Sequence, residues 1–158
     1  MNNQIINRNG AGVGDLTADK VGLSPLVLRA RIVFKLLAWI FAACILIQVF
    51  LAGLALFQNP DQWASHTGFS RFLIIPPILM LVTSFIARLP GSFRLSSAGL
   101  IGMLILMAVT AKLSTEMGYL SALHPVIALM MFMGAVSNVR KIEALTKANK
   151  QESSEHGV

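Results

Sequence analysis

Four long apolar runs, separated by short polar punctuation, set the pattern of this chain. Val33 to Phe57 is 25 residues interrupted only by Lys35 and Gln48, and Phe72 to Ala87, Leu95 to Ala111 and Tyr119 to Val139 carry no Asp, Glu, Lys or Arg. A hydrocarbon core of roughly 30 Å needs about 20 apolar residues of helix. The runs are too continuous for the alternating pattern of a membrane barrel, and lipid cannot satisfy stray backbone N–H and C=O groups, so helices are the expected solution. The pattern predicts an all-α, integral membrane, up-down four-helix bundle with helices over about 33–57, 66–88, 95–113 and 119–139. It divides the chain into a disordered tail (1–24), a four-helix domain (25–142) and a helical extension and tail (143–158).

Punctuation residues sharpen the element ends. Ser24 before Pro25 reads as a helix cap followed by proline at the first helical position. Asn59-Pro60-Asp61-Gln62 reads the same way, with Asp61 complementing the helix dipole and Gln62 reaching back to the cap. Pro76-Pro77 removes two backbone donors in mid-span and should kink the second helix, either opening room or simply shaping its packing. Leu89-Pro90-Gly91-Ser92 predicts a tight turn that makes helices two and three antiparallel neighbours. Ala98 and Gly102 stand at small-xxx-small spacing, which permits close backbone approach. Trp63 suits the headgroup zone, whereas Trp39 lies too deep for an interfacial anchor and should pack against lipid or a neighbouring helix. The last helix should run on past Arg140 to about Lys150, with a frayed tail from Ser153.

Composition agrees with lipid as the solvent: 55% of residues are hydrophobic, 13% are charged, and the mean hydropathy is +0.69. The net charge of +6 does not point to nucleic acid, because the basic residues gather at alternate helix ends. Lys20, Arg29, Arg31 and Lys35 precede the first helix, Arg88 and Arg94 flank the turn between the second and third, and Arg140, Lys141, Lys147 and Lys150 follow the fourth. The loops around Asp61 and Glu116 are nearly bare of Lys and Arg. By the positive-inside rule both termini are cytoplasmic, which in a bacterium means a multi-pass inner-membrane protein. The single cysteine, Cys44, excludes an intramolecular disulfide or a thiolate cluster and reads as a small packing residue. Gly53-Leu54-Ala55 has the small residues of a signal-peptidase site, but the apolar run before it is too long for a cleavable leader.

The remaining chemistry is sparse. Intramembrane polar and ionisable residues are expensive and usually face the bundle interior with a partner. Gln48, His66 and His124 fit that description, and they fall in the outer halves of helices one, two and four. Two imidazoles on diagonal helices suit the axial positions of one haem b, and filling both positions favours electron transfer over oxygen activation. Arg71 is placed to meet a propionate. Depth opposes this arrangement: His66 lies 22 residues before Arg88 and His124 lies 16 before Arg140, about 33 and 24 Å of helix. The plainer reading makes His66 an interfacial residue beside Trp63 and His124 a helix-start residue restrained by Pro125. Two histidines without Asp, Glu or Cys nearby are an incomplete zinc set, and no carboxylate stands ready to orient either ring beside Ser65 or Ser121. No phosphate loop or nucleic-acid motif is present.

Gln48-Val49-Phe50-Leu51-Ala52-Gly53-Leu54-Ala55, Trp63-Ala64-Ser65-His66 and Leu123-His124-Pro125-Val126 together resemble a family of small bacterial four-helix membrane proteins known only as a domain of unknown function. The likeness spans about residues 30 to 142. More loosely, these elements are similar to one half of haem A synthase, and that resemblance implies His66 and His124 as haem ligands. The outer loop lacks that enzyme's cysteine pair and a carboxylate clearly equivalent to its catalytic one, so the resemblance implies haem binding without synthase activity. Each hairpin also places a histidine near the outer start of its second helix, 58 residues apart, as in a parallel repeat.

The sequence therefore reads as a b-type haem-binding or electron-transfer membrane protein, with His66 and His124 as iron ligands and Gln48 and Arg71 close by, and leaves open whether it is an enzyme. The alternative is a non-catalytic structural or regulatory subunit that packs against a membrane-protein partner, or a second copy in a homodimer, through Ala98 and Gly102. A small permease would need a polar path, which only Gln48, Thr83, Ser84 and Thr110 offer.

Overall fold

A computed structural model describes residues 24–113 and 118–155. All regular elements among them are helical: α1 (Pro25–Phe57), α2 (Trp63–Ser70), α3 (Ile75–Ile86), α4 (Gly91–Leu113) and α5 (Leu123–Glu155), with 3-10 turns at Pro60–Gln62 and Gly118–Ala122. The expected disordered tail and most of the Ser114 to Gly118 loop lie outside the described residues.

Local signals set most of these ends. Ser24 caps α1, its hydroxyl accepting from Val27 N–H at 3.4 Å with Pro25 beginning the helix. Asn59 accepts from Asp61 N–H at 2.9 Å and Pro60 starts the 3-10 turn. Gln62 does not reach back to that cap; its carbonyl accepts from the Ser65 hydroxyl instead, at 3.1 Å. The α3–α4 turn falls earlier than expected. Arg88 takes the left-handed conformation (φ 50°), Arg88 N–H donates to Phe85 O and Leu89 N–H donates to Ser84 O. This is a Schellman end with arginine where glycine is usual, and Gly91 opens α4 instead of shaping the turn.

The second membrane segment is two helices. Its interruption lies at Arg71 to Ile74, before Pro76-Pro77, where Phe72 N–H turns to Phe69 O, Leu73 N–H to Ser70 O and Ile75 N–H to Phe72 O. The displacement follows from proline chemistry: the missing donors orphan carbonyls one turn back, and each ring crowds the residue before it, so strain accumulates on the N-terminal side. α5 in turn continues through Glu155, past the position where fraying was expected.

In cross-section α1 packs against α3 and α5, and α4 closes the ring against the same two helices. Second and fourth segments are thus diagonal, as are α1 and α4. The core is a file of buried residues including Phe34, Phe41, Met80, Leu100, Met131 and Ile142. At the end carrying the basic residues, Phe34 and Phe93 meet edge to face across the α1–α4 diagonal at 5.5 Å. Arg31 Nε donates to Ala87 O at 3.5 Å, and Lys35 Nζ pairs with Glu143 at 2.7 Å.

All four spans, Pro25–Phe57, Pro60–Ile86, Gly91–Leu113 and Leu123–Asn149, are long and apolar enough to cross a membrane, and less than a third of each span's most apolar window is buried inside the bundle. The rest, including Trp39, Phe50, Phe72 and Leu95, faces outward. Water would penalise that surface and lipid does not, so a multi-pass membrane protein accounts for it.

Candidate functional site

At the end of the bundle away from the basic residues, α1 and the α1–α2 connection bring Gln48 and His66 together. His66 Nδ1 lies 3.1 Å from the backbone carbonyl oxygen of Gln48. A carbonyl can only accept, so Nδ1 carries a proton, and in the neutral ring the lone pair is on Nε2. This is the tautomer found where a backbone carbonyl orients a metal-binding imidazole. Trp63 meets the His66 ring edge to face at 5.4 Å, so the ring is held from a second side. His66 is half-buried.

His124 occupies the first turn of α5, also half-buried, one position before Pro125. It lies on the face that continues through Ile127, Met131, Ala135, Asn138 and Ile142, the residues α5 turns into the core. The Lys35–Glu143 ion pair brings residues 35 and 143 to a shared level. Nineteen residues from each toward the histidine end reach Leu54 and His124, so His124 stands about 9 Å further out than Gln48, less than two turns. The break at Arg71 to Ile74 lets His66 sit at the level of Gln48, so the depth difference expected between the histidines persists at about 9 Å but with the opposite sense, His124 now the outer of the two.

Gln48 is 8% exposed, and its side-chain Oε1 is buried without a hydrogen-bond partner. Its backbone, more than its side chain, serves His66. Arg71 does not join the group: it is exposed just past the end of α2, five residues from His66, about 140° further round at 3.6 residues per turn. Ala98, Gly99 and Gly102 are exposed, and a Cβ at either glycine would meet nothing within 4 Å. The close approach expected there is therefore not used within the chain.

Hydroxyls suggested for a permeation path are spent on their own helices. Thr83 donates to Leu79 O, Ser84 to Leu81 O and Thr110 to Met107 O. Among the described residues no group of three or more His, Cys, Asp and Glu side chains is placed to hold a metal ion, so the histidine pair has no carboxylate or thiolate to complete a zinc set. Sequence reasoning missed Asn138, fully buried with both amide atoms unpartnered. Its spacing from Met131 and Ile142, seven and four residues, was the available signal.

With this geometry in hand, comparison with known proteins adds one finding. The family of unknown function DUF6220 matches residues 48–115, so the chain carries an uncharacterised domain. The match begins at Gln48, takes in Trp63 and His66, and stops before His124. No curated protein and no solved structure matches the chain, so the looser resemblance to haem A synthase is not shown.

Proposed function

We propose that this multi-pass membrane protein holds haem b between His66 and His124 and serves as an electron-transfer partner in the bacterial inner membrane, with both termini in the cytoplasm. One observation carries the reading: the His66 ring is fixed by its Nδ1–H bond to Gln48 O, so that Nε2 is the nitrogen the neutral ring would offer to a metal. A histidine kept only for interfacial packing has no need of a defined tautomer. The donor set fits the group, since haem asks for two neutral nitrogen ligands and tolerates the lack of carboxylates. His66 and His124 would hold the iron from diagonal helices, Trp63 would wall the site, and apolar side chains would exclude water. Haem, when bound, supplies one-electron transfer. The chain's own contribution is to orient two imidazoles and to keep the surroundings dry.

Purification in detergent from haem-replete cells, followed by absorption spectra with and without dithionite, tests this. The expected result is a Soret band that shifts on reduction and is lost in both His66→Ala and His124→Ala, while Trp39→Ala, on the outer face, retains it. A colourless wild-type protein would defeat the proposal.

A second reading, a non-catalytic subunit that associates through α4, is favoured by the exposed Ala98, Gly99 and Gly102 surface. Small residues permit close helix approach in lipid. Oxidative cross-linking of Gly102→Cys in a Cys44→Ala background distinguishes a homodimer from a partner of another kind.

A further inference from the structure

We infer that the basic half of the bundle contains an internal water site, built around the Asn138 carboxamide and independent of the histidine pair. Asn138 is 0% exposed, and neither Nδ2 nor Oδ1 has a hydrogen-bond partner. Leaving one polar group unsatisfied costs about 1–3 kcal/mol, and native proteins rarely leave both ends of an amide bare.

Polar and small residues converge at its level from the other helices. Gly134 on α5 faces the Leu100 side chain of α4. Four residues from Gly134 toward the basic end is Asn138, and three from Leu100 in the same direction is Ser97, about 6 and 4.5 Å respectively. The two side chains are therefore nearly level on neighbouring helices. On α3, Ser84 adjoins Phe85, whose ring lies 4.3 Å beneath the Arg94 guanidinium of α4, so Ser84 falls within about a turn of Ser97. Both serines are 0% exposed. Each donates its hydroxyl proton to its own helix, Ser84 to Leu81 O and Ser97 to Phe93 O, which leaves lone pairs to accept. From α1, the Lys35–Glu143 pair sets Ile40 level with Asn138, and the inward residues around it include Ala38 and Ala42. Alanine takes little volume where the amide needs room.

Chemistry selects the occupant. No described carboxylate lies among these core residues to balance a cation, and the Asn138 NH2 would oppose one. The Arg94 guanidinium at the edge of this layer is turned onto the Phe85 ring, and the Asn138 Oδ1 would oppose an anion. A neutral molecule that both donates and accepts is required: water donates to Oδ1 and accepts from Nδ2, and a further proton can reach the serine lone pairs. Buried waters typically make two to four such bonds. The site gives the basic half of the bundle a polar step that the surrounding Phe34, Phe41 and Leu100 do not.

Side-chain amide NMR of protein labelled with 15N-asparagine tests this in detergent micelles. The Asn138 NH2 pair is assigned by its loss in Asn138→Leu, or in Asn138→Ala should leucine prevent folding. Magnetisation transfer from water to that pair is expected, together with a lower melting midpoint in the folded variant. An Asn138 amide that receives nothing from water overturns the inference, as does a leucine variant that melts above wild type, because apolar replacement would then have relieved a dry, unsatisfied amide.

Discussion

At the scale of single residues, much hangs on hydrogen bonds that lipid cannot replace. Arg88 closes α3 in a left-handed conformation that favours glycine. Arg88→Gly should therefore raise stability by about 0.5–1 kcal/mol, read as a higher thermal midpoint in detergent; a fall would mean that the guanidinium contributes more than its backbone costs. The exposed Lys35–Glu143 pair belongs at the other extreme. Surface ion pairs contribute little, so Glu143→Gln should leave the midpoint unmoved, and a clear loss would show that this pair clamps α1 to α5. Caps such as Ser24 and Asn59 were legible because their side chains act on amides two or three residues away. Arg88 was not legible, because long-range packing of Leu89 decides that the chain turns there. Nor was the His66–Gln48 bond, which joins residues 18 apart whose mutual orientation depends on the α1–α2 connection.

At the scale of elements, Pro76-Pro77 illustrates what a sequence can and cannot locate. Proline announces a disturbed helix, but the disturbance is transmitted backwards to Arg71 through Ile74, where carbonyls lose their donors. That break frees α2 to lean on α1 by itself and to present His66 to Gln48. Replacing both prolines with alanine should fuse α2 and α3 into one rod, raise the helical content and displace His66. In the haem-bound protein the expected result is a loss or shift of the Soret band without unfolding. An unchanged spectrum would show that the break is irrelevant to the site. Helix existence, order and approximate limits followed from apolar run length alone. The register of one helix against another did not, because it is fixed by pairs such as Gly134 against Leu100 that no periodicity reveals. Asn138 was passed over for the same reason: in a run free of charge it looked like one polar residue near a helix end, and only packing shows that it points to the centre.

At the scale of the molecule, a ring of four spans leaves most of its apolar surface outside and buries a few polar side chains inside, among them Gln48 toward one end and Ser84, Ser97 and Asn138 toward the other. Basic residues crowd the end where α1 begins and α5 ends, which supports cytoplasmic termini. Single cysteines introduced in a Cys44→Ala background, near residue 150 and at Gln58, should react with an impermeant maleimide from opposite sides of intact cells, the second from outside. The reverse labelling would invert the topology. The most direct test of the whole account is the electron paramagnetic resonance spectrum of the purified ferric protein. Two imidazoles on one iron predict a low-spin signal that becomes high-spin, or disappears, when either His66 or His124 is replaced by alanine. A protein without haem, or a low-spin signal that survives both substitutions, would contradict the claim that these two side chains meet across the bundle to hold a metal.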